Sequence, residues 1–326
     1  MKDRKQPRTL QEAIRYFGDP DNALAYVVER IWPDGTVTCP TCGRADVVFL
    51  KNQRKWQCKS VHPKRQFSAK VGTIFEDSPI PLDKWMTAVW MLVNCRNGVS
   101  SYEVARTIGV TQKSAWFMLH RIRKALQNKS FRKLGGSGGS CEADETFIGA
   151  KARNVHVGKR DAKVGMGKKA IIVGVLERGG HVRAEVVETR KRHKIHEIVK
   201  ENVLPGSALY TDKLLSYKGL ENYFAHEVVD HALGYVRGQV HTNGLENFWS
   251  LLKRGLGGTY VNVEPFHLFR YLDEQMFRYN NRRDADRVPL PDSERFNLAL
   301  SGILGKRLTY AELTGKDGAT QPPAAS

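Results

Sequence analysis

"CEADETFIG", residues 141–149, alternates in the period-two manner of a strand and sets Glu142, Asp144 and Thr146 on one side. Reading outward from it, "KKAIIVGVLERGGHVRAEVVET" (168–189) predicts a hairpin turning at Gly179 and Gly180. "RHKIHEIVKENV" predicts a helix, "SALYTD" a short strand ending at Asp212, and "HEVVD" another strand. A helix is expected to start at Lys213, between those last two strands. "GLENFWSLLKRG" and "PFHLFRYLDEQMFRYNNR" predict closing helices, with Leu245, Phe248, Trp249 and Leu252 on the buried face of the first.

That order is the order of a ribonuclease-H-like α/β domain with a mixed five-stranded sheet, expected over residues 141–285. In such a sheet the first and fourth strands are neighbours, which brings Asp144 beside Asp212. A helix packed against them can present Glu246. Three converging carboxylates repel one another unless cations lie between them. Oxygen donors with open positions suit Mg2+ or Mn2+. Glu142 and Glu145 are rival ligands. Asp212 could instead cap the helix after it, and Glu246 could close a capping box begun by Asn243. Lys253, two turns beyond Glu246, projects from nearly the same face and is placed to hold a phosphate.

Upstream the pattern differs. The chain has 326 residues, a formal net charge of +18 and 41% hydrophobic residues, so a packed core is expected and a polyanion is the expected partner. No apolar run has the length of a membrane span, and no signal core follows the basic N-terminus. The expected location is the cytoplasm, associated with the nucleoid. Five cysteines, three of them clustered, do not describe a secreted disulfide scaffold. "CPTCG" and "CKSVH" instead offer Cys39, Cys42, Cys58 and His62 as ligands of one structural zinc in a ribbon over 31–75, after an N-terminal helical segment over 1–30. Residues 51–70 hold seven Lys or Arg and no acid, which suits contact with phosphates.

A helix-turn-helix is expected over 76–134. "LDKWMTAVWMLVN" places Trp85, Val89, Leu92 and Val93 on one face. Ser100 and Glu103 form a capping box, Gly109 makes the turn and Thr111 caps the second helix. Gln112, Lys113 and Ser114 then open the recognition helix as base readers, with Arg121, Arg123 and Lys124 as phosphate contacts. "GGSGGS" over 135–140 reads as a flexible linker, residues 151–169 as a basic DNA-gripping loop, and 286–326 as a C-terminal extension with a disordered tail.

Six stretches, "CPTCG", "RQFSAKVGTIFEDSPIPLDKW", "DETFIGAK", "YTD", "HTNGLENFWSLLKRGLGGTY" and "RYLDEQMFRYNNR", resemble bacterial and archaeal insertion-sequence transposases of the acidic-triad class. The resemblance is to the family numbered fifteen-ninety-five and spans roughly residues 15–285. It implies a zinc ribbon and helix-turn-helix for end recognition, then a ribonuclease-H-like domain with Asp144, Asp212 and Glu246 as the catalytic triad and Lys253 beside it. It also implies two Mg2+ or Mn2+ ions per site, DNA partners (terminal inverted repeats and target), and a homodimer or larger assembly holding two ends. The expected chemistry is strand cleavage that frees a 3′-hydroxyl, then joining of that hydroxyl to target DNA. Two other readings stand beside it: a non-catalytic DNA-binding regulator, and a nuclease of the same fold that does not join strands.

Overall fold

The computed structural model describes residues 6–127, 132–136, 138–149, 169–229, 241–261 and 263–316. Among these, residues up to 127 and from 287 onward form one compact unit, and residues 132–286 form another. The basic loop expected over 151–169 lies outside the described residues except for Lys169, and so does the tail beyond Lys316.

The first unit begins with α1 (Leu10–Phe17) and α2 (Pro20–Ile31), capped by Thr9 and Asp19. A three-stranded antiparallel ribbon follows: β1 (Val47–Leu50), β2 (Lys55–Cys58) and β3 (Gln66–Phe67). Trp56 stacks on Phe67 and meets Phe49 and Trp32, giving this small sheet its core. Helix α3 (Leu82–Asn94) is buried at every residue from Trp85 to Val93. The one-sided face expected from the sequence is therefore an incomplete description. The helix is the centre of its unit, touching α1 and α2 as well as α4 (Ser101–Ile108) and α5 (Gln112–Ala125). The capping box, the left-handed Gly109 (φ +63°) and the Thr111 cap all form as the sequence indicates.

The second unit is a sheet in the order β6-β5-β4-β7-β8. Strands β4 (Ser140–Ile148), β5 (Ala170–Glu177) and β6 (Val182–Val187) are antiparallel. Helix α6 (Arg192–Asn202) leads to β7 (Ala208–Asp212), parallel to β4, and β8 (Ala225–Val229) runs parallel to β7. The first and fourth strands are neighbours, as a ribonuclease-H-like fold requires. Between β7 and β8 lie two single 3-10 turns, Leu215–Tyr217 and Leu220–Asn222, where the sequence suggested a helix. Gly219, at φ +102°, separates them. One core packs α6 and the 3-10 turns against Cys141, Ala143, Val173 and Val175. The opposite core packs Ile172, Leu176 and Val182 against α7 (Asn243–Arg254) and α8 (Leu268–Asn280).

Two segments depart from the sequence reading. The glycine-rich stretch at 135–140 is built into the second unit rather than linking units. The Gly135 amide donates to Glu177, the Gly136 amide to Ser207 Oγ, and the Ala208 amide to the Gly139 carbonyl. Glycine is required here by contact as well as conformation: a Cβ on Gly135 would lie 2.5 Å from Ser207 Oγ. The expected C-terminal extension instead completes the first unit, through α9 (Asp292–Ser301) and α10 (Tyr310–Thr314). Phe296 meets Phe17, Tyr26 and Trp90, and Thr73 pairs with Leu304. Burying one such aromatic side chain contributes about 1.5–3 kcal/mol, so this segment is part of that core.

Candidate metal centres and nucleic-acid surfaces

Asp144 lies opposite Gly174 of β5. That glycine leaves room for Trp249, whose ring would come within 2.7 Å of any Cβ there. The Trp249 indole N–H donates to Asp144 Oδ2 at 2.9 Å. The buried face read for α7 thus also anchors a carboxylate, a role with no separate signal in the sequence. Asp212 ends β7, and its Oδ1 accepts the Leu214 amide at 3.0 Å. The capping reading of Asp212 holds in part, and its carboxylate still faces the site.

Asp144, Glu145 and Asp212 offer oxygens that all lie within 4.8 Å of one another. Opposite ligands on a Mg2+ ion are about 4.2 Å apart, from bonds of about 2.1 Å. Small side-chain rotations therefore suffice to close this group on a divalent cation. Glu246 stands outside that spacing. It is exposed on the first turn of α7 and lines a cleft of about 440 Å3 with Asp144, Glu145, Thr146, Trp249, Ser250 and Lys253. The sequence triad is thus assembled as a close pair, Asp144 and Asp212, with Glu246 across the cleft. The Glu145 carboxylate is a fourth member.

The electrostatics favour a cation. Burial, then the charges of Glu145 and Asp212, push Asp144 up to about 7 against the opposing Trp249 bond. Burial and Asp212 raise Glu145 as well, opposed by the Tyr217 hydroxyl and Arg190. Glu142, the other rival ligand, is occupied elsewhere. One of its oxygens accepts the Leu245 amide at 3.0 Å and the other the Arg178 Nε–H at 3.0 Å. A buried carboxylate from β4 therefore satisfies the N-terminus of α7, where the sequence suggested Asn243. Gly244 is needed for this approach, since a Cβ there would lie 2.8 Å from Glu142 Oε2.

In the first unit, Cys39, Cys42, Cys58 and His62 bring four ligand atoms together. The Gly43 amide donates to the Cys39 carbonyl at 2.8 Å, and Gly43 takes φ +72°, which turns the knuckle. Cys39 Sγ lies 3.5 Å from His62 Nε2, and Cys42 Sγ 3.7 Å from Cys58 Sγ. Tetrahedral zinc, with bonds of about 2.3 Å to sulfur and about 2.0 Å to nitrogen, requires edges of about 3.5 Å and about 3.8 Å for those pairs. The donor set and spacing fit a structural zinc. His62 Nδ1 sits 2.6 Å from the Pro63 carbonyl, which fixes the tautomer that leaves Nε2 for a metal. Burial opposes ionisation of Cys58, but hydrogen bonds from His62 and Ser60 outweigh it and bring the thiol down to about 6.

On the helix-turn-helix the structure separates the expected DNA contacts. Lys113 is exposed, its ammonium 4.8 Å from the Tyr310 ring. Gln112 donates to Ser101 Oγ at 2.8 Å, and the Ser114 hydroxyl accepts from Thr111 at 2.9 Å. Arg121 and Arg123, expected on phosphates, are buried. Arg121 donates to the carbonyls of Leu308, Ile74 and Glu76, so it pins the returning C-terminal segment in place. Two residues apart on a helix, the two arginines leave α5 on nearly opposite sides, and both are buried because every residue from Met118 to Arg123 is. Lys124 is half-buried and donates to the Arg307 carbonyl at 2.6 Å. No helix among the described residues is long and apolar enough to cross a membrane.

A ribonuclease-H-like sheet with carboxylates clustered at its central strands, carried by a chain with a cysteine–histidine ribbon, is the arrangement expected of a transposase of the acidic-triad class. Residues 136–280 match the ISXO2-like transposase domain, and residues 18–60 match the transposase zinc-ribbon domain. The chain is 27% identical over 285 residues to an uncharacterized protein in transposable element ISH50 of Halobacterium salinarum, covering 81% of this chain and 94% of that one. It is 34% identical over 94 residues to an uncharacterized transposase-like protein of Haemophilus influenzae, covering 28% of this chain and 76% of the relative. The protein belongs to the insertion-sequence transposase family numbered fifteen-ninety-five.

Proposed function

We propose that the protein binds the terminal inverted repeats of an insertion sequence, cleaves a DNA strand there and joins the freed end to target DNA. The observation that carries this is the grouping of Asp144, Glu145 and Asp212 on neighbouring strands, with Glu246 and Lys253 lining the same cleft. Divalent cations, two Mg2+ or Mn2+ when bound, would neutralise phosphate charge and acidify the attacking hydroxyl or water.

The residues divide the remaining work. Asp144, Asp212 and Glu246 would hold the cations, and Trp249 fixes the orientation of Asp144. Lys253 pairs with a non-bridging phosphate oxygen from the side of α7. In the first step a water oxygen attacks phosphorus, the P–O3′ bond breaks and the 3′-oxygen leaves as a hydroxyl. In the second step that hydroxyl attacks a target phosphodiester. One P–O bond forms as another breaks, so joining needs no energy cofactor. The ribbon and the start of α5, through Gln112, Lys113 and Ser114, recognise the ends; Gln112 must release Ser101 to do so. Two ends must be held at once, which implies a homodimer or larger assembly on DNA in the nucleoid.

The test is incubation of the purified protein with a labelled duplex carrying the inverted repeat that flanks its gene, plus a supercoiled target and Mg2+. A new 3′-hydroxyl at the repeat boundary and labelled target are expected. Binding without nicking would favour a regulator. Nicking without joining would favour a nuclease.

A further inference from the structure

Alternate side chains of β4 leave on opposite faces of the sheet. Cys141 and Ala143 enter the core that holds Ile195, Ile198 and Tyr217, and Glu145 has their parity. Asp144 has the parity of Glu142 and faces α7 through Trp249. Parity alone would send the Glu145 carboxylate away from Asp144, yet the two share one cluster with Asp212. The sheet permits this because β7 pairs with β4 only as far as Ala143↔Thr211, leaving that edge of β4 open beside Glu145. Its side chain can bend round the edge, and a bent side chain must be held.

Tyr217 meets that requirement. It is 1% exposed, and its hydroxyl lies 2.9 Å from Glu145 Oε2. It belongs to the 3-10 turn just after β7, at whose start Asp212 accepts the Leu214 amide. One short segment thus fixes two of the three clustered carboxylates. Arg190 is the competing partner: its Nη1 lies 3.7 Å from Glu145 Oε1, and its side chain is 39% exposed. A neutral phenol donor orients a carboxylate without neutralising it, whereas a guanidinium takes up the charge a cation would use.

We propose that Tyr217 is a positioning residue of the acidic site, holding Glu145 in the cluster so that Glu145 ligates a divalent cation together with Asp144 and Asp212. This rests on reading the cluster as a cation site. When the phenol is removed, Glu145 turns to Arg190 and leaves the cation short of one ligand.

The experiment is calorimetric titration of the full chain with Mn2+, without DNA. Tyr217→Phe removes one oxygen and keeps the core shape; it should weaken Mn2+ affinity about tenfold, the lower end of the range for losing a ligand's supporting hydrogen bond. Glu145→Gln should weaken it at least as much, and the double variant no more than Glu145→Gln alone. Tyr217→Phe that lowers the melting temperature but leaves Mn2+ affinity unchanged would overturn the proposal, as would losses that add in full in the double variant. Asp144→Asn separates the two levels. If it too leaves Mn2+ affinity unchanged, the cation site itself is wrong; if it abolishes binding while Tyr217→Phe has no effect, only the role of Tyr217 is.

Discussion

Asp144→Asn should stabilise the metal-free protein above neutral pH while removing its chemistry. Burial is the main reason Asp144 is pushed from 3.8 up to about 7, with the charges of Glu145 and Asp212 adding to it. A carboxyl raised in the folded state binds its proton more tightly there than in the unfolded chain. Its effect on stability is therefore nil below about pH 4, becomes unfavourable as pH rises toward about 7, and is largest above that. A rise of about three units corresponds to about 4 kcal/mol, at roughly 1.4 kcal/mol per unit. Water in the cleft screens part of this, and asparagine gives Trp249 a weaker acceptor by about 1 kcal/mol. A net gain of about 2 kcal/mol at pH 8 is expected, falling to nothing or below at pH 4.5. The assay is urea unfolding in EDTA, read by amide exchange in β4 and β5 so that the other unit does not contribute. Millimolar Mn2+ should stabilise the wild type and not the variant. Equal pH slopes for the two proteins, or a variant less stable than wild type at pH 8, would refute the reasoning.

The remaining predictions concern separate parts of the chain. Protein prepared without chelator should contain about one zinc per chain, and Cys58→Ser should lower that content and weaken end binding; metal analysis with no zinc would defeat this. Arg121→Ala should destabilise the first unit by about 3–6 kcal/mol, because three carbonyls lose a donor at roughly 1–2 kcal/mol each. A variant with unchanged stability and weaker DNA binding would return Arg121 to the phosphate role. Lys253→Ala should slow cleavage and flatten the salt dependence of binding by about one unit for every sequence alike. Gln112→Ala should instead change which ends are preferred, and a uniform loss of affinity would contradict that.

Much of this architecture was legible because local signals and the global fold agreed. The Ser100–Glu103 box, Gly109 and Thr111 each mark a helix end by a mechanism that needs no tertiary partner. Asp144 and Asp212 could be paired because strand order fixes which strands are neighbours. What escaped depends on partners distant in sequence. Arg121 looks like a surface cation until the carbonyls of Leu308, Ile74 and Glu76 are seen around it, and Arg123 until the helix is seen to be buried on its side as well. The glycines at 135–139 resemble a linker until Ser207 and Glu177 are seen against them. Glu145 has the wrong parity for the site and reaches it only because β7 stops pairing at Thr211. The cap on α7 comes from Glu142, 103 positions away in the chain from Leu245. No local pattern could reveal it.

The central claim is that the carboxylates on β4, β7 and α7 perform the strand chemistry. Its most direct test is strand transfer of a pre-cleaved element end into plasmid DNA with Mn2+, comparing wild type with Asp144→Asn, Asp212→Asn and Glu246→Gln. Joining by wild type, loss of at least about a thousandfold in each variant and end binding within a few-fold of wild type in all four are predicted. Joining at the wild-type rate by any one of the three variants would contradict the account and remove that residue from the site.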